Sequence, residues 1–263
     1  MGISTLPQIR ADGRGVAVVG RGGGHGPPER PFGISMVDLK DGKTLWTLPI
    51  EGFMATMSYR LHRGRVHIFH GGEHLSVDEM TGEVVKRVFI VGEVSVCRMK
   101  DGLRHVLKES LRASKKNRMI TQGSNLLAGH HHYFRSYVRP WLGRVDVESG
   151  AVEYLELPLQ VSRVQGKADE FQWFLTPTGK KGPAMKDQSI ASNDMKNSRG
   201  FKVVGDKRSH GNGWGHVASP TPSVAGDHLY VPVMNGTVYV IALNSSKLDE
   251  DAMLYPRGQA LEY

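Results

Sequence analysis

The chain is 263 residues long with a formal net charge of +8, long enough to bury a substantial core as one repeat domain and basic enough to favour anionic partners. Its single cysteine, Cys97, excludes an internal disulfide, and no run approaches the roughly 18 apolar residues of a membrane span. Gly fills 32 positions, about 12% against an ordinary ~7%, which fits the many tight turns of β-structure rather than a helix bundle.

The elements follow in chain order. The first residues, Met1 to Arg10, lack the apolar core of a signal peptide. Val16 to Val19 reads as a strand, and the loop Gly20 to Pro28 follows. A Gly-rich loop cradles phosphate when it opens a helix; here Pro27, Pro28, Pro31 and Gly33 return the chain to a strand instead. Ile34 to Leu39 and Thr44 to Ile50 form a hairpin around Gly42, and Val66 to Phe69 with Leu75 to Val77 form another around Gly71-Gly72. Leu103, Val106, Leu107 and Leu111 fall at helical spacing, so a short inserted helix competes with a strand through His105 to Leu107. Leu126 to Tyr137, Leu142 to Val147 and Val152 to Leu157 read as strands. Thr176 to Ser209 has no sustained periodicity and reads as a long excursion. The last unit is Leu229 to Val233, the Asn235-Gly236 turn, and Thr237 to Leu243.

One turn recurs along this series. An Asp closing an apolar stretch is followed four residues later by Gly, at Asp38/Gly42, Asp78/Gly82 and Asp146/Gly150, with a weaker copy at Asn244. Asp bonds its own backbone across such a turn and Gly takes the positive φ, so each copy joins two strands. From Asp38 to Asp78 is 40 residues, one four-stranded blade of a radial β-repeat, roughly 40–50 residues. The later spacings, 68 and 98 residues, leave room for insertions or a further blade.

The run from Asp38 through Gly42-Lys43 to Trp46, and Ser219 to Val231 leading into Asn235 to Leu243, resemble the repeats of pyrroloquinoline-quinone-binding-like β-propellers. The resemblance runs from about Val16 to Leu243. It implies an all-β fold of four-stranded antiparallel propeller blades, partial or small, in one domain over residues 1–263 with irregular insertions near 100–120 and 176–209. Seven or eight such blades need more chain than this, so a piece of a larger propeller is the expectation. The resemblance also gives Trp46 the family's structural role of locking adjacent blades.

Candidate site residues cluster in three places. His210 to His216 carries Asn212, Trp214 and His216 among glycines that let backbone approach a ligand, and the resemblance places this segment at the mouth of the central channel. Thr121 to Asn125, with Gln122, stands in the corresponding place ahead of Leu126-Leu127. In the run His130-His131-His132, a strand would put His130 and His132 on one face. That spacing can hold zinc, yet no Asp, Glu or Cys lies beside it in sequence, so no metal site is assigned. His67, His70 and His74 lie on a separate hairpin and are expected to face solvent or neighbouring blades.

Active quinoprotein dehydrogenases of the resembling family hold their cofactor between a Trp and a disulfide of adjacent cysteines, with calcium on carboxylate and amide ligands. One cysteine cannot make that disulfide, so no cofactor is predicted. The expectation is a non-catalytic binding or scaffold module. The alternatives are a dehydrogenase of alcohols or sugars using pyrroloquinoline quinone with calcium, and a module that binds or processes acidic polysaccharide. The basic balance points to an anionic polymer or glycan as partner, with nucleic acid not expected; apart from Lys115-Lys116-Asn117-Arg118, Lys180-Lys181 and Lys202 with Lys207-Arg208 the basic residues are dispersed, which reads as a solvated surface. The compartment stays open, extracytoplasmic or periplasmic if a leader precedes this segment.

Overall fold

The computed structural model describes residues 7–22, 30–53, 59–100, 103–111, 121–136, 141–157, 161–163, 170–174, 181–186, 222–232, 238–243, 247 and 253–255. Every regular element among them is a β-strand. Among the described residues no helix is long and apolar enough to cross a membrane.

The first blade is a four-stranded antiparallel meander of β1 (Gln8–Ile9), β2 (Gly15–Arg21), β3 (Gly33–Asp38) and β4 (Thr44–Pro49). Its register sets Val18 opposite Met36 and Met36 opposite Trp46. Alternate residues of β2 are buried, Val16 and Val18 among them, as a half-buried strand of period two requires. The second blade repeats the plan with β5 (Arg60–His62), β6 (Arg65–His70), β7 (Glu73–Asp78) and β8 (Val84–Phe89). Its middle strands bury Val66, Ile68, Phe69, Leu75 and Val77, whereas β8 alternates and leaves Val85 and Phe89 exposed.

A six-stranded sheet follows, built from β9 (Gly92–Lys100), β10 (Leu103–Leu111), β11 (Thr121–Ala128), β12 (His131–Ser136), β13 (Trp141–Asp146) and β14 (Val152–Glu156). Its order is β10-β9-β14-β13-β12-β11. The third blade is thus the meander β11 to β14, extended by the β9–β10 hairpin, which joins through a parallel pairing of β14 with β9. Three short strands come next, β15 (Val161–Arg163), β16 (Glu170–Phe174) and β17 (Lys181–Lys186). A last four-stranded meander comprises β18 (Ser223–Ala225), β19 (His228–Pro232), β20 (Val238–Ala242) and β21 (Met253–Tyr255). The chain is all-β and of β-propeller type, because the four-stranded antiparallel meander is the propeller blade.

The chain forms two compact units. The first comprises Met1–Val94, Ser110–His132 and Val145–Val152, and the second Ser95–Glu109, Tyr133–Arg144 and Glu153–Tyr263. In the second unit Arg98 donates to both carboxylate oxygens of Glu156, at 2.9 and 2.6 Å, and to Glu109 at 2.6 Å. Trp141, fully buried, donates its indole N–H to the same Glu156 carboxylate.

The recurring turn takes one geometry three times. Asp38, Asp78 and Asp146 each accept, through the main-chain carbonyl, from the amide of Gly42, Gly82 and Gly150 at 2.8–2.9 Å. Each Asp also turns Oδ1 onto amides of its own turn, Lys40 in the first, Met80 and Thr81 in the second, Glu148 and Ser149 in the third. The three glycines have φ of 73, 78 and 84°, the left-handed region that makes Gly the residue of choice. The copy at Asn244 and the Asn235-Gly236 turn lie outside the described residues.

Two readings of the strands need correction. Leu103–Leu111 is the strand β10 and not a helix: exposure alternates from His105 to Ser110, with Val106 61% exposed, so period two prevails over the helical spacing of its apolar residues. The Asp101-Gly102 dipeptide before it is a hairpin signal. Leu126 to Tyr137 is not one strand, because Gly129, at φ 60°, and His130 form a turn between β11 and β12. Of the excursion at 176–209, residues 181–186 are the strand β17 and the rest lie outside the described residues.

Candidate functional site

The chemistry-bearing side chains of the first unit converge where the β6–β7 hairpin carries His67 and His74 beside His132, the second residue of β12. All three imidazoles are buried, at 1%, 1% and 0% exposure. Each lies on a strand interior, which fixes its direction. His67 and His74 rings stack at 5.4 Å between centroids, and His132 meets His74 edge-on at 5.2 Å. Phe69, also buried, closes the cluster against His132 at 4.5 Å.

The hydrogen bonds order the protons. The Asn125 amide oxygen accepts from His132 Nε2 at 2.9 Å, so His132 carries its proton there and presents Nδ1 as an acceptor. His74 Nε2 donates to that Nδ1 at 3.1 Å, which leaves the His74 Nδ1 lone pair buried and without a partner. Burial, with the charge of neighbouring histidines and of Lys86, pushes His74 down to about 3. Burial likewise takes His67 down to about 4 and His132 well below the ordinary imidazole value. At neutral pH the cluster is uncharged.

His67 also faces a partly open cavity of about 310 Å³, lined by His62, Arg63, Arg65, His67, Val147 and Glu148. The tight β5–β6 turn builds its mouth: Arg63 takes φ 48° and Gly64 φ 76°, with His62 paired to Arg65 across them. Arg63 forms an ion pair with Glu148. His62 is pushed below its ordinary value by burial and then by the charges of Arg63 and His130, and its shielded Nε2 lacks a hydrogen-bond partner. Ser76 Oγ lies 3.2 Å from His67 Nδ1, the spacing of a Ser–His dyad. Ser76 is completely buried, however, so no substrate carbonyl reaches it.

The residues singled out from sequence fare unequally. His130 and His132 do not share a face, because His130 sits in the turn and only His132 lies in the strand. His130 is half-exposed, with its ring 4.1 Å from that of His131 and its Nε2 3.8 Å from Asp146 Oδ2. Gln122 belongs to β11, with its side chain outside the described part; Asn212, Trp214 and His216 lie outside the described residues altogether. His67 and His74, expected to face solvent or a neighbouring blade, are buried and meet His132 of the next blade. Sequence reasoning passed over Arg63, Arg65 and Glu148; the signal for the first two was the Arg63-Gly64 hairpin turn between them.

No family model matches the sequence, and no curated protein matches it. Among solved structures, the chain is similar to BamB from Moraxella catarrhalis at 16% identity, covering 90% of this chain and 84% of that one, with a TM-score of 0.33. It is similar to the quinohemoprotein alcohol dehydrogenase from Comamonas testosteroni at 12% identity, covering 91% of this chain and 52% of that one, with a TM-score of 0.35. A computationally designed protein, Ika8, pairs at 13% identity, covering 95% and 72%, with a TM-score of 0.30.

Proposed function

We propose that this chain is a non-catalytic binding module on a quinoprotein-like propeller scaffold, and that its first-unit cavity takes an anionic group such as the carboxylate of an acidic glycan. The observation that carries the reading is the cavity wall: two guanidinium groups, Arg63 and Arg65, stand with the imidazoles of His62 and His67. Glu148, the carboxylate of that wall, is engaged by Arg63, and Arg65, whose charge also acts on Asp78, adds a second cation to the wall. Arginine suits the task because its planar fork matches a carboxylate or sulfate. The neutral imidazoles supply hydrogen bonds without competing charge.

A dehydrogenase using quinone and calcium is the weaker reading. The single cysteine, Cys97, is buried in β9, and the residues present do not fit the disulfide sandwich of the resembling enzymes.

The test is a titration of the full chain with a fluorescently labelled oligogalacturonate, alongside a neutral oligosaccharide of equal length. The expected result is saturable binding of the acidic oligomer alone, weakening as salt rises, and at least tenfold weaker in Arg65→Ala and in Arg63→Ala/Arg65→Ala with unchanged circular dichroism. Equal binding of the neutral oligomer, or full affinity in the double variant, overturns the reading.

A further inference from the structure

The three recurring turns set different side chains beside their aspartates. In the first blade Leu39 N donates to Gly15 O, in the second Glu79 N to Gly64 O, and in the third Val147 N to His130 O, at 3.0, 3.0 and 2.9 Å. Gly15, Gly64 and His130 are therefore equivalent positions. Beside the first, Arg14 Nη1 donates to Asp38 Oδ2 at 3.2 Å. Beside the second, Asp78 is held below the usual carboxylate range by the Thr81 and Met80 amides and, as a smaller contribution, by the charge of Arg65. Beside the third, His130 stands where the first two blades have glycine, and His131 follows it.

The third aspartate is held in a fixed orientation. Asp146 Oδ1 accepts from the amides of Glu148 and Ser149, both at 2.9 Å, which turns Oδ2 toward His130. One ligand atom each from His130, His131 and Asp146 lies within 4.8 Å of the others. Modest side-chain rotation brings three such atoms to the ~2.0–2.2 Å bonds of a zinc-sized ion. The amides that orient Asp146 are the outer-shell support that metal-binding carboxylates use.

We propose that His130, His131 and Asp146 form a binding site for a borderline divalent transition ion, of the zinc, cobalt or nickel class, built on a histidine that stands where the first two blades carry glycine. Two imidazoles and one carboxylate select such an ion over calcium or magnesium, which want all-oxygen shells. Three protein ligands leave at least one coordination position to water. The site uses none of the side chains in the wall of the arginine-lined cavity, although it borders that wall through Glu148 and through the charge of His130 on His62.

The test is titration of Co²⁺ into the full chain, read by its visible d–d absorption and by displacement with Zn²⁺. One saturable equivalent with micromolar or tighter affinity is expected, weakened at least tenfold in His130→Gln and in Asp146→Asn. Asn keeps an oxygen for the two turn amides, and His130 is half-exposed in a turn, so circular dichroism should match the parent in both. If Asp146→Asn fails to fold, His130→Gln alone decides. Absence of a saturable equivalent in the parent, or affinity within threefold of it in His130→Gln, overturns the site.

Discussion

The indole N–H of Trp46 donates a 2.9 Å hydrogen bond to the main-chain carbonyl of Glu79, so the last strand of the first blade is tied to the recurring turn of the second. The ring also lies against Gly82 of that turn, where an added Cβ would stand 2.8 Å from the indole carbons. Trp46 is 8% exposed. Replacing it with Ala removes both the ring and the hydrogen bond, and the expected cost is about 3–5 kcal/mol, measured by chemical denaturation. Gly82→Ala should also destabilise, through the clash with the ring and the positive φ; a loss below about 0.5 kcal/mol would contradict the contact.

Lys86 stands eight residues after Asp78, as Trp46 stands eight after Asp38. It makes the corresponding reach: Nζ donates to the carbonyl of Glu148 at 2.6 Å, and its stem approaches Gly150. Because this hydrogen bond is exposed, Lys86→Ala should cost no more than about 1 kcal/mol. A larger loss than for Trp46→Ala in the same denaturation series would contradict the ranking.

The buried imidazoles predict a pH dependence. Their proton affinities are lower folded than unfolded, so the unfolded chain binds more protons below about pH 6.5. The stability of keeping them neutral is complete above that pH. It falls as pH drops toward about 4 for His67 and about 3 for His74. Each histidine contributes roughly 1.4 kcal/mol per pH unit within the window. Asp12, held to about 2 by the Arg10 side-chain hydrogen bond first, titrates below it. Denaturation at pH 7, 6 and 5 should show the slope, and His74→Phe should reduce it by about a third. An unchanged midpoint from pH 7 to 5 would refute the burial of all three rings.

The Asn125 hydrogen bond predicts tautomers. Nitrogen NMR shifts of His132 and His74 should report the proton on Nε2 in both. Asn125→Leu leaves the His132 N–H buried and unpaired, with an expected cost of about 1–3 kcal/mol. A neutral substitution, or an Nδ1-protonated His132, would contradict the assigned chain of donors.

Local backbone chemistry was legible in the sequence because turns are decided by nearest neighbours. The Asp-to-Gly turns at Asp38, Asp78 and Asp146 could be read directly, as each rests on one side chain capping its own amides and one glycine at positive φ, and the Gly71-Gly72 hairpin could be read from its two glycines at positive φ. Trp46 was legible through its position after that turn. The strand character of Leu103–Leu111 was not settled by its spacing, since four apolar residues satisfied helix and strand alike until pairing with β9 chose between them. The site depended on contacts between residues far apart in sequence. His74 meets His132 across 58 positions, and Asp146 comes to His130 only because β12 and β13 are neighbours in one sheet. The two-residue turn Gly129-His130 moved His130 off the face of His132, since side chains alternate along a strand and a turn resets the count. Sequence determined which residues could bend or cap the chain; only the tertiary structure decided which imidazoles lost water and which found a carboxylate.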